Sequence, residues 1–445
     1  MKKMFLPGTG AHFLYNLALG TALVISAPAW VPWTLMAGKR RKNFPDRLGV
    51  RIRDIPPLSG KGRIWIHAVS VGETLSAASL VRLLRERLPD AEILFSTVTI
   101  TGHEAAEKAL GSSIDACFYF PFDLPGISRK FLDRVSPDIV VILETEIWPN
   151  FLAECRGRAI PTVILNGRIS GRSLRGYMRL RPLFSRVLGC FSAITTQTEE
   201  DAGRFLALGA DPACVEVTGN MKFDVAAPAG RMSAVHSLMM REKAAGAAWL
   251  VAGSTHEGEE EAVLRAFGAA RSTNASVRLL LAPRHPERFG AVEGLCLREG
   301  WKTVRMTLLA ENPGAAVPDV LLLDTVGDLL SAYAAADIAF VGGSLVPKGG
   351  HNIIEPALFG VPTLVGPHMR NFREIADIFR EAGAVGQVRN AEDLSARLAR
   401  WAADPSVESG MGSRARELLA AFRGATERNA GVVVREMSRR RGRAG

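Results

Sequence analysis

Cysteine is scarce in this chain and nowhere paired: Cys117, Cys155, Cys190, Cys214 and Cys296 are scattered through 445 residues with no C-x-x-C. That spacing excludes a zinc ribbon, provides no disulfide framework and fits a reducing, cytoplasmic side. No G-x-x-x-x-G-K-[ST] occurs, and the first strand-like run ends in HAVSVGE rather than G-x-G-x-x-G. P-loop nucleotide hydrolysis and simple dinucleotide redox chemistry are therefore disfavoured. D-x-D is absent too. Without that acidic pair to hold a divalent cation, bound phosphate must be met by fixed cationic side chains and backbone N–H groups. Charge itself is missing from one long stretch, since no Asp, Glu, Lys or Arg lies between Lys3 and Lys39.

That uncharged stretch contains FLYNLALGTALVISAPAWVPWTLMA, long enough for the about 20 apolar residues that a bilayer core requires. Trp30 and Trp33 stand near its end and KRRK (Lys39–Lys42) follows, an aromatic belt and a positive flank that place the body in the cytoplasm. A cleaved signal peptide or a hydrophobic helix lying on the surface are the alternatives, with Pro28 and Pro32 able to break a span. Signal-peptide apolar regions run only about 7–15 residues, so the expectation is a single N-terminal membrane anchor with its basic flank over residues 1–40. The formal net charge of +10 favours anionic partners: nucleic acid, acidic lipid or phosphorylated substrates.

After the anchor, short β-rich apolar runs (IWIHAV, AEILFST, DIVVILE, IPTVILN, FSAITTQ) alternate with segments of helical spacing such as LSAASLVRLLRERL. This is the α/β pattern of a parallel, doubly wound sheet. It pauses near Ala226–Gly230 and restarts with WLVAGS, VRLLLAP, VLLLDT, DIAFVGG and VPTLVG. Two Rossmann-like domains are expected, over 41–228 and 229–430, with a basic tail over 431–445. The arginines of that tail read as a disordered, membrane-facing run. Ligands of such sheets bind beyond the C-terminal strand ends.

In the second half, GGSLVPKGGHNIIEP sets Gly343, Ser344, Lys348 and Asn352 before a helix that carries Glu355. Glycines admit a ligand to the backbone, a helix N-terminus favours an anion, and Glu355 could accept from two vicinal sugar hydroxyls. Asn352 and Glu355 are equally spaced as a capping-box pair. Three further turns of this half point the same way: Ser254 and Thr255 in AGSTHEGEE, Arg284 and His285 in LAPRHPERF, and Gly327 in DTVGDL. Together they describe a pocket for a nucleoside phosphate, and the histidines lack metal-ligand spacing. In the first half, Glu73 follows a strand in HAVSVGET, either capping its helix with Ser70 or acting as a general base. Glu144 and Glu146 in ETEIWPN share a face at strand spacing beside Trp148.

In this order, VSVGET, PFDLPG, ETEIWPN, NGRIS, TGNMKFD, AGSTHEGEE, LAPRHPERF and GGSLVPKGGHNIIEP resemble the motif series of the 3-deoxy-D-manno-octulosonic acid (Kdo) transferases of lipopolysaccharide synthesis. The resemblance runs to about Ile375 and implies a GT-B fold of two Rossmann-like domains behind an inner-membrane anchor. It implies CMP-Kdo as donor, lipid IVA as acceptor, no metal and no other cofactor. On it, Glu73 is the base that deprotonates the acceptor's 6'-hydroxyl, and Glu144 is a second acid near the acceptor. Glu355 binds ribose, and Asn352, Ser254, Arg284 and Gly327 fall on nucleotide-binding turns. Arg284 and Lys348 offset charge on departing CMP; Glu146, Arg168 and Lys222 lie on the acceptor side or the domain junction. The basic body would then meet an anionic membrane rather than nucleic acid, for which no aromatic-interleaved basic patch exists. The rival readings are a GT-B enzyme acting on another sugar nucleotide, such as a UDP-sugar transferase or epimerase, and a charge-driven binding protein without activity.

Overall fold

A computed structural model describes residues 10–36, 43–60, 62–224, 232–311 and 318–444. It divides into two compact units, Met1–Asp224 with Arg423–Gly445, and Val225–Phe422. The sequence pattern places the second domain over 229–430; in the structure the chain returns to the first unit from Arg423 for its last helix.

The first unit is built on seven parallel strands: β1 (Arg63–His67), β2 (Glu92–Thr97), β3 (Ala116–Tyr119), β4 (Ile139–Leu143), β5 (Thr162–Gly167), β6 (Ala193–Thr196) and β7 (Val215–Val217). Their order is β3-β2-β1-β4-β5-β6-β7. Alternation along each strand sends side chains to opposite faces. Trp65, Leu94, Val140, Ile142 and Ile164 pack with Phe120 and Phe151 on one face. Ile64, Ile66, Ile93, Phe95, Val141 and Val163 pack on the other against Leu80 and Leu84 of the helix Val71–Arg87. Both faces are covered, which is why these strands read as continuous apolar runs.

The second unit repeats the plan with β8 (Ala248–Thr255), β9 (Val277–Pro283), β10 (Thr303–Arg305), β11 (Val320–Leu322), β12 (Ile338–Val341), β13 (Thr363–Val365) and β14 (Gly386–Gln387). Its order is β10-β11-β9-β8-β12-β13-β14, again parallel throughout. In the first sheet the winding reverses between β1 and β4; in the second it reverses between β8 and β12, with β11 inserted between β9 and the edge strand β10. Those two reversals are where a ligand crevice is expected.

One expectation needs correction, and one is not shown. The basic tail is the end of a helix, Ala425–Ala444, and not a disordered run. Val432, Val433 and Met437 form an apolar stripe among the arginines and pack on the first sheet. Asp224 accepts the N–H groups of Gly424 (2.8 Å) and Thr426 (2.5 Å) at the start of that helix. The transmembrane crossing is not seen either: among the described residues no helix is long and apolar enough to cross a membrane. The apolar stretch forms the helix Gly10–Met36, and its early turns dock on the first unit. Tyr15 donates to Asp123 at 3.0 Å and Asn16 accepts from Asn150 at 2.8 Å. Phe13, Leu14, Leu17, Val24 and Ile25 on the same helix are exposed. The basic flank at Lys39–Lys42 lies outside the described residues.

Candidate active site

In the first unit, the turn after β1 enters the helix Val71–Arg87 with Ser70 as N-cap. The Glu73 N–H donates to Ser70 Oγ at 3.2 Å, while Ser70 Oγ and the Val69 N–H each donate to the Glu73 carboxylate at 2.7 Å. Each carboxylate oxygen keeps a further lone pair, so the cap does not exhaust the acceptor capacity of Glu73. Only 7% of Glu73 is exposed. Burial raises its proton affinity and nearby Glu144 adds to this, while the Val69 N–H, Ser70 and Lys222 oppose it.

The turn after β4 brings the other acids. Glu144 has φ +55, a left-handed conformation rare for a residue with a Cβ. Its N–H donates to Leu165 O at 2.9 Å, and its carboxylate pairs with Lys222 Nζ. Burial, then the charges of Glu73 and Glu144, push the half-buried Glu146 up to about 7, against Arg47. Three carboxylates thus share the β1/β4 reversal with two cations. Lys222 is positioned by a chain of amides. Asn220 Oδ1 accepts the Lys222 N–H (2.9 Å), Asn220 Nδ2 donates to Gln197 (2.9 Å), and Gln197 Nε2 donates to Asn166 O (3.1 Å). Arg168 lies behind this group, its N–H donating to Thr145 Oγ1 at 3.1 Å. Sequence reasoning missed Arg47, Asn166, Gln197 and Asn220. The NG and TGN turns carried a signal for two of them; Arg47, alone after the basic flank, carried none.

In the second unit, four backbone N–H groups converge on the buried carboxylate of Glu259: His256 (3.0 Å), Gly343 (2.6 Å), Ser344 (2.9 Å) and Leu345 (2.8 Å). The glycine loop after β12 was expected to offer these amides to phosphate; it holds an internal anion instead. Ser344 is fully buried, its Oγ donating to Val341 O (2.5 Å) and accepting from Gly366 N (2.9 Å). Thr255 is fully buried as well. Gly343, Ser344 and Thr255 are therefore supports rather than ligand contacts. A Cβ on Gly342 would sit 2.5 Å from the Ser254 carbonyl oxygen, so only glycine fits where β12 passes β8.

Outside that support, His351, Asn352 and Glu355 are half-buried and His256 is buried. His256 and His351 lie with Nε2 atoms 2.8 Å apart and rings within 3° of parallel, and His285 stands edge-on to His256 with ring centres 5.3 Å apart. Burial, then nearby His256, Arg284 and His285, push His351 down to about 4. Asn352 Oδ1 caps the Ile354 N–H (3.1 Å) while its Nδ2 donates to Glu355 at 3.2 Å. Glu355 is thus bonded by the Asn352 side chain and makes no reciprocal capping bond. Burial raises its carboxyl, opposed by Asn352 and Arg284. Arg284 and Lys348 are exposed, and Ser254 closes β8 in a left-handed turn at φ +57. Gly327, at φ +101, lies on an exposed turn after β11 where a Cβ would meet nothing within 4 Å. Among the described residues no group of three His, Cys, Asp or Glu could hold a metal ion.

The sequence model of 3-deoxy-D-manno-octulosonic-acid transferase (kdotransferase) matches residues 42–225. A 3-deoxy-D-manno-octulosonic acid transferase of Bordetella pertussis is 36% identical over 429 residues, 93% of this chain and 97% of its own. One from Haemophilus influenzae is 36% identical over 375 residues, covering 84% of this chain and 86% of its own. The structure of UDP-GlcNAc 2-epimerase from Neisseria meningitidis bound to UDP-GlcNAc superposes with a TM-score of 0.50 at 13% identity, covering 85% of this chain and 100% of that one. At that identity it supports the fold alone, two α/β domains of the GT-B kind. The match extends along almost the whole of the Bordetella enzyme. The chain belongs to the 3-deoxy-D-manno-octulosonic acid transferase family.

Proposed function

We propose that this Kdo transferase moves Kdo from CMP-Kdo to the 6'-hydroxyl of lipid IVA, with inversion and without a metal. What carries the reading is the acid cluster at the β1/β4 reversal. There, Glu73 is held by two hydrogen bonds and kept basic by burial and by Glu144. As a general base it takes the acceptor hydroxyl proton. The hydroxyl oxygen forms its bond to the anomeric carbon of Kdo while the bond to the CMP phosphate breaks, and the electron pair leaves with CMP. Such a displacement passes through oxocarbenium-like charge and needs one base and a stabilised leaving group. Lys222, paired with Glu144, supplies positive charge beside the base.

In the second unit Glu355 accepts from the ribose hydroxyls, with Asn352 fixing its carboxylate. Arg284 and Lys348 offset charge on the departing phosphate. His285 and Ser254 complete that turn region, and Gly327 gives a neighbouring loop its left-handed bend. No step in this scheme requires a divalent ion. The exposed face of the helix Gly10–Met36, with Phe13, Leu14, Leu17, Val24 and Ile25, associates with the inner membrane, where an anionic surface attracts the basic body.

The test is Kdo transfer from CMP-Kdo to lipid IVA in detergent and EDTA. Product from wild type, loss of turnover with retained CMP binding in Glu73→Gln, and weakened CMP binding in Glu355→Ala are the expected results. Folded wild-type protein that binds UDP in preference to CMP would overturn the donor; binding of CMP without transfer would overturn the acceptor.

A further inference from the structure

The second unit carries a basic feature that none of the nucleotide-site residues explains. An open groove of about 480 Å³ is walled by Arg370, Arg373 and Arg380 and floored by Val365, Met369 and Val385. The floor is buried, with Val365 2%, Met369 7% and Val385 6% exposed. Two of the three guanidinium groups share one carboxylate: Asp377 meets Arg380 at 2.9 Å and Arg373 at only 3.8 Å. Among the described residues Arg370 has no side-chain partner. The groove therefore holds surplus positive charge over an apolar base.

Its wall is rigid. Asn371 N–H donates to Gly349 O at 2.8 Å, Asn371 Nδ2 donates to Lys348 O at 3.1 Å, and His368 N–H donates to Ser344 O at 2.9 Å. Gly349 has φ +98, and a Cβ there would lie 2.5 Å from the Asn371 side chain. Pro347 and Gly349 line the groove while His351, two residues on, meets His256. One fixed loop thus separates the groove from the nucleotide side.

We propose that this groove binds a phosphomonoester carried on a carbohydrate or lipid body, at a site separate from the nucleotide. Guanidinium forks match phosphate oxygens in pairs. The volume falls within the ~300–1,000 Å³ of small-molecule sites and leaves room for a body beyond the phosphate. The buried floor suits the apolar face of a sugar ring or a methylene chain.

The experiment uses the full chain in detergent and titrates glucosamine 1-phosphate, glucosamine, inorganic phosphate and micelles containing phosphatidic acid. The variants are wild type, Arg370→Gln and the Arg370→Gln/Arg373→Gln double. The expected result is saturable binding of glucosamine 1-phosphate or of phosphatidic acid micelles, with no binding of glucosamine. The double variant should bind about tenfold more weakly, as loss of charge-assisted bonds requires. Binding of inorganic phosphate and glucosamine 1-phosphate would assign the site to soluble phosphates, and binding of the micelles alone to a lipid headgroup. Absence of saturable binding, equal binding of unphosphorylated glucosamine, or undiminished binding in the folded double variant would overturn the proposal. CMP binding, measured on the same samples, tests the donor assignment separately and should be unchanged by either variant.

Discussion

The carboxylate of Glu259 accepts the Gly343 N–H at 2.6 Å, across 84 residues of sequence. With His256, Ser344 and Leu345 as further donors, one buried anion ties the turn after β8 to the loop after β12. Removing it leaves four buried N–H groups without a partner, each costing about 1–3 kcal/mol in principle, with partial relief from entering water. Glu259→Ala should therefore destabilise the protein by roughly 3–5 kcal/mol, the range for breaking a buried charged network. Calorimetry would show a melting point lower by on the order of 10 °C for a domain of this size. A change under about 2 °C would mean the nest is filled by something else.

Glu73 sits where Lys222 lowers its proton affinity and Glu144 raises it. If Glu73 is the base, activity should rise with pH as its carboxyl ionises. Lys222→Met should then shift that acidic limb to higher pH, besides lowering turnover. Glu73→Gln, which keeps the shape of the cap, should cost about 10²–10⁴ in turnover with little change in melting point. A pH profile unmoved in Lys222→Met would separate the two residues functionally.

Glu146 is pushed up to about 7 from an ordinary carboxyl near 4.5. A carboxyl raised on folding favours the folded state below the unfolded value, and that advantage is lost as pH rises through the folded one. Glu146→Gln imitates the protonated acid at every pH. Its melting point relative to wild type should improve progressively between pH 4.5 and about 7 and then level off. A constant difference across that window would show that the acid is not held protonated.

His351 has the opposite sign. Burial and neighbouring positive charge push it from 6.5 down to about 4, so its contribution is present above pH 6.5 and is lost as pH falls toward 4. His351→Gln should flatten the loss of stability in that interval, measured by denaturant unfolding at fixed pH steps. An unchanged acid slope would locate the titration elsewhere.

These outcomes also mark what the sequence could reveal. The two sheets were legible because strands covered on both faces appear as apolar runs, and the glycine-ended turns after β8 and β12 mark the reversal. Ser70 and Glu73 were legible as a pair because a capping box is local. Glu259 was not: among the acids of HEGEE it reads as a solvated charge, and its partners lie far along the chain. Arg47 was hidden for the same reason, since only folding brings it to Glu146. The final helix was misread because arginine dominates its composition, although Val432, Val433 and Met437 keep an apolar stripe. The return of the chain to the first unit had no local signal, because it involves Asp224, whose two partners are 200 and 202 residues away.

That return yields the last prediction. Asp224 accepts the Gly424 and Thr426 N–H groups where the final helix begins, and Asn429 is fixed within the sheet by Thr195 (2.5 Å) and Thr218 (3.0 Å). Asp224→Ala removes a charged acceptor from two amides and should cost on the order of 1–3 kcal/mol. The loss should fall locally, on the docking of the final helix. Arg439→Gln removes an ion pair whose arginine is 62% exposed, and pairs of that kind contribute about 0–1 kcal/mol. Hydrogen exchange at Val432 and Val433 should therefore quicken in Asp224→Ala and stay near wild type in Arg439→Gln. If both variants exchange alike, surface charge rather than the Asp224 cap holds the helix to the first unit, and its arginines would be structural.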